Sequence, residues 1–461
     1  MIYLVPQNRA NYESAIIALQ VALRANQSDY RTWTRLGEAY ARSGRPVAAL
    51  KALTRARNLS QDDWTAVYFT GDVYRQMGLY DLAIATFEQL LINRCGETGA
   101  VLALAESHLS HARQQFSAGY LTRFEESLVS CIEISTKVLH SAPGFRRMVW
   151  KTIADAILEL SKLTLYVNPK LVLSVVCAVC DALAEGTVDT EVIPGYTSVA
   201  KIIMKYTRDD EPSLDGVDLH WLAIACYHTR ASLSNNDRVT EGSARFDLSI
   251  AIHSVIPRLK QHQNEERLSD TASHAILDAL KHSSGNGFYW NALGNIGFLR
   301  DPKLAQHAYV KALELDHKVS RSSCVCWRSS IHFQNPLFWT DLGIFYLHHG
   351  DIDLANQAFY RAQISNPDYC QAWVGQALVA ISNQHLPEAR SLLEHALTLS
   401  TPIVRHFQLI YGAHGAHNRD ICLTHSLKQN MSTRIAHLRT YIYKISLLIT
   451  KFLISSLLTL P

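Results

Sequence analysis

The stretch Phe338–Ala380, FWTDLGIFYLHHGDIDLANQAFYRAQISNPDYCQAWVGQALVA, decides the fold. Trp339, Leu342, Gly343 and Tyr346 fall on one face of a first helix, and Ala355, Phe359 and Ala362 on one face of a second. Pro367 closes that second helix and opens the next unit. Trp373 follows Trp339 by 34 residues, and Ala389 follows Ala355 by the same interval. The interval recurs near the start of the chain, where Gly37 and Gly71, Tyr40 and Tyr74, Ala49 and Ala83, and Leu53 and Phe87 are each 34 apart. One step back reaches Ala15 and Leu19; one step forward reaches Ala105 and His108. Trp33 and Leu36, and Trp290, Leu293, Gly294, Ala305, Tyr309 and Ala312, occupy the same offsets. A generic helical bundle also buries Trp and Leu at helical spacing, but it gives glycine no reason to recur in register.

This is the tetratricopeptide pattern, and it predicts an all-α, right-handed superhelical solenoid of helix-turn-helix repeats. Each repeat is two antiparallel helices, neither able to bury its apolar face alone. Gly37, Gly71, Gly294 and Gly343 are expected where the two helices approach most closely. Glycine there costs about 1 kcal/mol in helix propensity, whereas a side chain would hold the helices apart. Ala49, Ala83, Ala355 and Ala389 are expected to serve the same close approach from the second helix.

The repeat divides the chain into four stretches: 1–106, N-terminal tetratricopeptide repeats; 107–286, degenerate helical repeats with insertions; 287–411, C-terminal tetratricopeptide repeats; and 412–461, an atypical basic and apolar tail. In the second stretch Trp150, Ile153 and Ala154, then Trp221, Ile224, Ala225 and His228, keep the helical offsets. Ala272, Ile276 and Ala279 do so before Trp290. Ser232–Ser243 reads as a polar loop. Trp290 and Trp339 are 49 apart, about 16 more than a repeat with one short loop requires. Residues 319–334 (VSRSSCVCWRSSIHFQ) account for that excess, either as a loop insertion or as a retained intron. Residues 421–461 contain no acidic residue, yet Lys444 and Lys451 interrupt the closing apolar run. A spanning helix needs about 20 apolar residues, and a lysine near its centre costs about 2.5–3.5 kcal/mol, so a membrane anchor is disfavoured.

With 48% apolar and 18% charged residues the chain has the composition of a folded protein. A net charge of +3 is too mild to imply a nucleic-acid surface. The nine cysteines are scattered, with Cys177 and Cys180, and Cys324 and Cys326, as the close pairs. The opening MIYLVPQNRANYES does not read as a secretion signal, so free thiols in a reducing compartment are expected. No glycine-rich phosphate loop, HExxH or GxSxG occurs, and the Cys177–Cys180 pair has no second pair at zinc spacing. The reading is therefore non-enzymatic, without cofactor, metal or small-molecule substrate.

Stacked first helices would line a groove, giving candidate protein-binding residues Arg31, Glu38, Arg42, Tyr68 and Asp72 early in the chain. Late in the chain the corresponding positions are Asn291, Asn295 and Phe298, then Leu337, Ile344 and Leu347, then Val374, Leu378 and Ile381. The early set is charged and the late set largely apolar, and two occupants stay open for the late set: a partner, or the chain itself. Some tetratricopeptide domains clamp a chaperone's C-terminal carboxylate with Lys and Asn, but Glu38, Asp72, Ile344 and Leu378 stand where that clamp uses Asn.

The strings FYWNALGNIG, LAQHAYVKALELD and Phe338–Ala380 together resemble the tetratricopeptide scaffold subunit of the Ski (superkiller) complex. The resemblance is strongest over Tyr289–Leu399 and extends to Tyr12–Leu104. It implies a cytoplasmic scaffold that joins a DExH-type RNA helicase to WD40-repeat subunits and assists 3′-to-5′ mRNA decay by the RNA exosome. It carries no partner-contact residue across, because the matching positions are packing ones. An adaptor of an unrelated complex and a helical-repeat RNA-binding protein are the alternatives. Against base-by-base RNA reading, Ile344, Val374 and Leu378 stand where recurring polar pairs would be needed.

Overall fold

The computed structural model describes residues 6–163, 165–185, 201–203, 205–206, 214–234, 237–258, 265–322 and 335–399. Among these there is no strand. The chain forms two compact units, one comprising residues up to Phe116 with Leu121–Leu160 and Leu165–Ala182, the other Ser117–Tyr120, Ser161–Thr164 and the residues from Leu183. Regularity of the repeat and compactness thus divide the chain at different places. Residues 323–334 and the stretch beyond Leu399, including the tail 412–461, lie outside the described residues.

The bodies of α1 (Pro6–Ala25), α2 (Tyr30–Arg42), α3 (Pro46–Leu59), α4 (Trp64–Gln76), α5 (Tyr80–Asn93), α6 (Thr98–Ala118), α7 (Leu121–Ser141), α8 (Arg146–Leu160) and α9 (Pro169–Glu185) belong to the first unit. The second unit holds α10 (Gly216–Ser232), α11 (Arg238–Val255), α12 (Glu265–His282), α13 (Gly287–Gly297), α14 (Pro302–Ser322), α15 (Pro336–His349), α16 (Ile352–Ser365), α17 (Cys370–Ser382) and α18 (Leu386–Leu399). Helices pack as hairpins: α2 on α3 and α4 on α5 in the first unit, α13 on α14, α15 on α16 and α17 on α18 in the second.

Local chemistry sets each start and stop. Asp29 accepts from Arg31 N, Asp63 from Thr65 N, Asn286 from Phe288 N and Asn335 from Leu337 N, each at 3.0–3.2 Å, so a polar cap opens the first helix of these repeats. Four residues after the cap, Trp33 and Trp290 send their indole N–H back to the carbonyls of Gln27 and Ser284, and Trp373 sends its own to Pro367, at 2.8–2.9 Å. The tryptophan therefore ties the helix start to its preceding turn as well as filling space. The turns of the α2–α3, α4–α5 and α15–α16 hairpins use a left-handed glycine: Gly44, Gly78 and Gly350 have φ of 80°, 77° and 90°. In the last hairpin Gln384 takes that place at φ 63°. A Cβ is disfavoured in this conformation, so Gln384→Gly is expected to stabilise α17–α18 by about 0.5–1 kcal/mol. A thermal melt that is unchanged or lowered would show that Gln384 is unstrained.

The glycines face bulky residues of the partner helix. A Cβ on Gly37 would lie 2.5 Å from Leu53 Cγ, on Gly71 2.8 Å from Phe87 Cε1, on Gly294 2.6 Å from Tyr309 Cε1, and on Gly343 2.8 Å from Phe359 Cε1. These distances are below any ordinary carbon contact, so the close approach requires glycine. Gly375, in the first helix of the next repeat, meets the same edge of the Phe359 ring. Ala49, Ala83, Ala355 and Ala389 are all buried.

In the less regular stretch, Trp150, Ile153, Ala154, Trp221, Ile224, Ala225, Ala272, Ile276 and Ala279 are buried. Glu125, also buried, accepts from the backbone N–H groups of Val167 and Asn168 at 2.8–3.0 Å and so caps the start of α9. The loop expected over Ser232–Ser243 is shorter than its composition implies, because α11 already begins at Arg238. Asp237 accepts from Val239 N at 3.2 Å and starts the helix, while Arg230 of α10 binds Asp247 and Ser243 of α11. Polar residues here are caps and inter-helix pairs rather than loop.

Candidate protein-interaction surface

In the first unit Glu38, Asp72 and Glu106 recur at 34-residue spacing on α2, α4 and α6. Two arginines interleave with them. Arg42 pairs with Glu38 at 2.7 Å and donates to Tyr12 Oη at 3.3 Å. Arg75 reaches Asp72 at 2.6 Å and Glu106 at 2.9 Å, linking two successive repeats. Tyr68 stands between them, its ring 5.8 Å from that of Phe87, and burial beside the Asp72 carboxylate raises its phenol above the ordinary value. Arg31 is exposed and lies over the Tyr30 ring. The early surface is charged, yet its charges are largely matched within the chain.

The late surface differs from the expectation. Phe298, Ile344, Leu347, Val374 and Leu378 are buried, as are Asn291 and Asn295; Leu337 is half-buried and Ile381 exposed. The seven buried side chains are covered by neighbouring helices. Phe298, for instance, packs against Phe345 and His348.

A polar network runs through this interior. Asp341, on α15, accepts from Asn291 Nδ2 at 2.7 Å and Asn295 Nδ2 at 3.3 Å, both on α13. Tyr309 donates to Asn295 Oδ1 at 2.8 Å, and full burial near Asp341 raises the Tyr309 phenol well above its ordinary value. Two carboxamides thus donate to the buried carboxylate. The common acceptor of the two asparagines lies about fifty residues away and is invisible to periodicity.

Among the described residues no three His, Cys, Asp or Glu side chains converge as metal ligands. Cys180 is buried and its thiol is pushed up to about 12 by that burial, while Cys177 is raised in the same direction. No described helix is long and apolar enough to cross a membrane.

A family profile described as tetratricopeptide repeat matches residues 7–63 and 35–100. The Superkiller protein 3 of Schizosaccharomyces pombe is 29% identical over 289 residues, covering 62% of this chain and 20% of its own. The Tetratricopeptide repeat protein 37 of Xenopus laevis is 25% identical over 432 residues, 92% of this chain and 24% of that one. The human Superkiller complex protein 3 is 25% identical over 379 residues, 80% of this chain and 21% of that one. The chain thus spans about a fifth to a quarter of the length of these relatives. With helical hairpins repeating at 34 residues, a profile match over residues 7–100 and likeness to these relatives along most of its length, the chain carries tetratricopeptide repeats and is similar to the Superkiller 3 proteins.

Proposed function

We propose that the chain is a non-catalytic protein-interaction scaffold of a Ski-type (superkiller) complex. In this reading it helps to hold a DExH-type RNA helicase and WD40-repeat subunits in the cytoplasm, for assisted 3′-to-5′ mRNA decay by the RNA exosome. The observation that carries the proposal is likeness to Superkiller 3 proteins over 62–85% of the chain. A charged first-helix surface, with Arg42 exposed and Glu38, Asp72 and Arg75 part-exposed, is consistent with protein contacts.

The test is an affinity pull-down of the tagged chain from cytoplasmic extract, with RNase, read by mass spectrometry. A DExH helicase and a WD40 protein are expected to be recovered without RNA. Recovery of an unrelated assembly would replace the Ski reading with a different adaptor role. Loss of every partner on RNase treatment would replace it with RNA binding.

A further inference from the structure

Asp341 lies on the face of α15 that carries Leu337 and Ile344, one turn past the first and just short of the second. Its side chain is 4% exposed, and the hydrogen bonds it takes within the described chain, from Asn291 and Asn295 of α13, both fall on Oδ2. Oδ1 takes none and still meets solvent. The Asn291 carboxamide, turned to Asp341 by its nitrogen, buries an oxygen that has no hydrogen-bond partner among the described residues. Tyr369 opens α17, which packs on α15, and its half-buried phenol makes no hydrogen bond among the described residues. Burial raises the Tyr369 phenol, and the Asp341 carboxylate raises it further, as it does that of Tyr309. Three successive first helices thus bring acceptor oxygens to one negative spot.

We infer that Asp341 receives the ammonium group of a lysine side chain from a partner protein. A buried carboxylate is costly until a charge pairs with it, and the two carboxamides supply none. The open atoms are a carboxylate oxygen, a carboxamide oxygen and a phenol oxygen. An ammonium carries three donors and no acceptor, which matches them, whereas a guanidinium brings five donors in a flat fork. A divalent ion needs more ligands than this, and no three acidic, His or Cys side chains converge among the described residues. The apolar lining fits the rest of the side chain. Leu337, half-buried one turn before Asp341, gives the four-carbon stem of a lysine a surface to lie on while its head reaches the carboxylate. The inference rests on the scaffold reading and adds a partner chemistry to it.

The experiment uses the full chain with fluorotyrosine at Tyr369 and follows the fluorine resonance as Nα-acetyl-lysine methylamide is added. Parallel titrations use the norleucine analogue, which keeps the stem without the charge, and the arginine analogue. A saturable shift is expected with lysine and none with norleucine, the lysine affinity falling by about tenfold or more in Asp341→Asn. Leu337→Glu adds a second acid at the rim and should tighten lysine binding by about threefold or more, a gain that misfolding cannot produce. Equal shifts with lysine and norleucine, no saturable shift, or lysine affinity unchanged in both variants would overturn the proposal and leave the Asn291 oxygen to a buried water. Tighter binding of the arginine analogue would overturn the match to three acceptors. Absence of lysine binding alongside a recovered helicase complex sinks the Asp341 site alone. Lysine binding with no such complex sinks only the superkiller reading.

Discussion

Phe359→Ala is expected to destabilise the C-terminal repeats by about 3–5 kcal/mol, the range for emptying a fully buried aromatic site. The ring is completely buried, and its edge is met by Gly343 of its own repeat and Gly375 of the next. Removing it therefore opens both the hairpin and the stacking of successive repeats. In a repeat array each unit leans on its neighbours, so the loss should be local. Hydrogen exchange should accelerate in α15–α17 and leave α2–α5 unchanged. A loss below about 1 kcal/mol would mean the site collapses around the deletion and that the glycine contacts are not tight. Gly375→Ala, by overpacking against the same ring, should cost about 1–3 kcal/mol, and Phe359→Leu should relieve most of it.

Acid should weaken the fold well above the pH at which carboxylates titrate. His220 is fully buried in the second unit, its Nε2 3.1 Å from the Ala251 carbonyl and its Nδ1 3.3 Å from Arg258 Nη1. That arrangement puts the proton on Nε2 and leaves Nδ1 facing a cation. Burial first, and the Arg258 charge second, bring its pKa from 6.5 down to about 3. In the first unit His108 is brought down to about 4 by burial and the neighbouring His111. Below pH 6.5 the unfolded chain takes up these protons and the folded chain does not. Stability contributed by the neutral imidazoles is thus complete above pH 6.5 and falls as pH drops toward 4 and 3. Between pH 7.5 and 5 each histidine should withdraw about 2 kcal/mol, together about 4. Denaturant midpoints measured across that range check this; a flat profile would mean that both rings reach solvent in the folded state.

The repeat was legible because its two constraints are steric and local. Glycine under Leu53, Phe87, Tyr309 and Phe359 keeps one offset within each repeat, and a chain with that offset brings the same helices together. Gly375 escaped notice because it sits two residues before the repeat position, which Ala377 occupies. Its role depends on Phe359 reaching across into the next unit, and no period records such a reach. The early charged residues were legible as surface, since ions paired at the rim of a helix stay near water. The late set was less legible for the opposite reason. Which face of Asn291, Ile344 or Leu378 is covered depends on how closely successive repeats stack, and on Asp341 being available as a shared acceptor. The α11 start was hidden because Asp237 reads equally well as loop or cap until the helix beyond it is known.

The Asp316 carboxylate accepts from Asn335 N at 2.6 Å, so positions separated by eighteen residues in the chain are neighbours in space. A carboxylate of α14 and the residue that caps α15 are therefore held together. Closing a loop there costs little that depends on its size, about 0.6 kcal/mol for each doubling of length. This junction is a natural port: a fluorescent domain or an affinity tag could be spliced into it while the hairpins on either side keep their register.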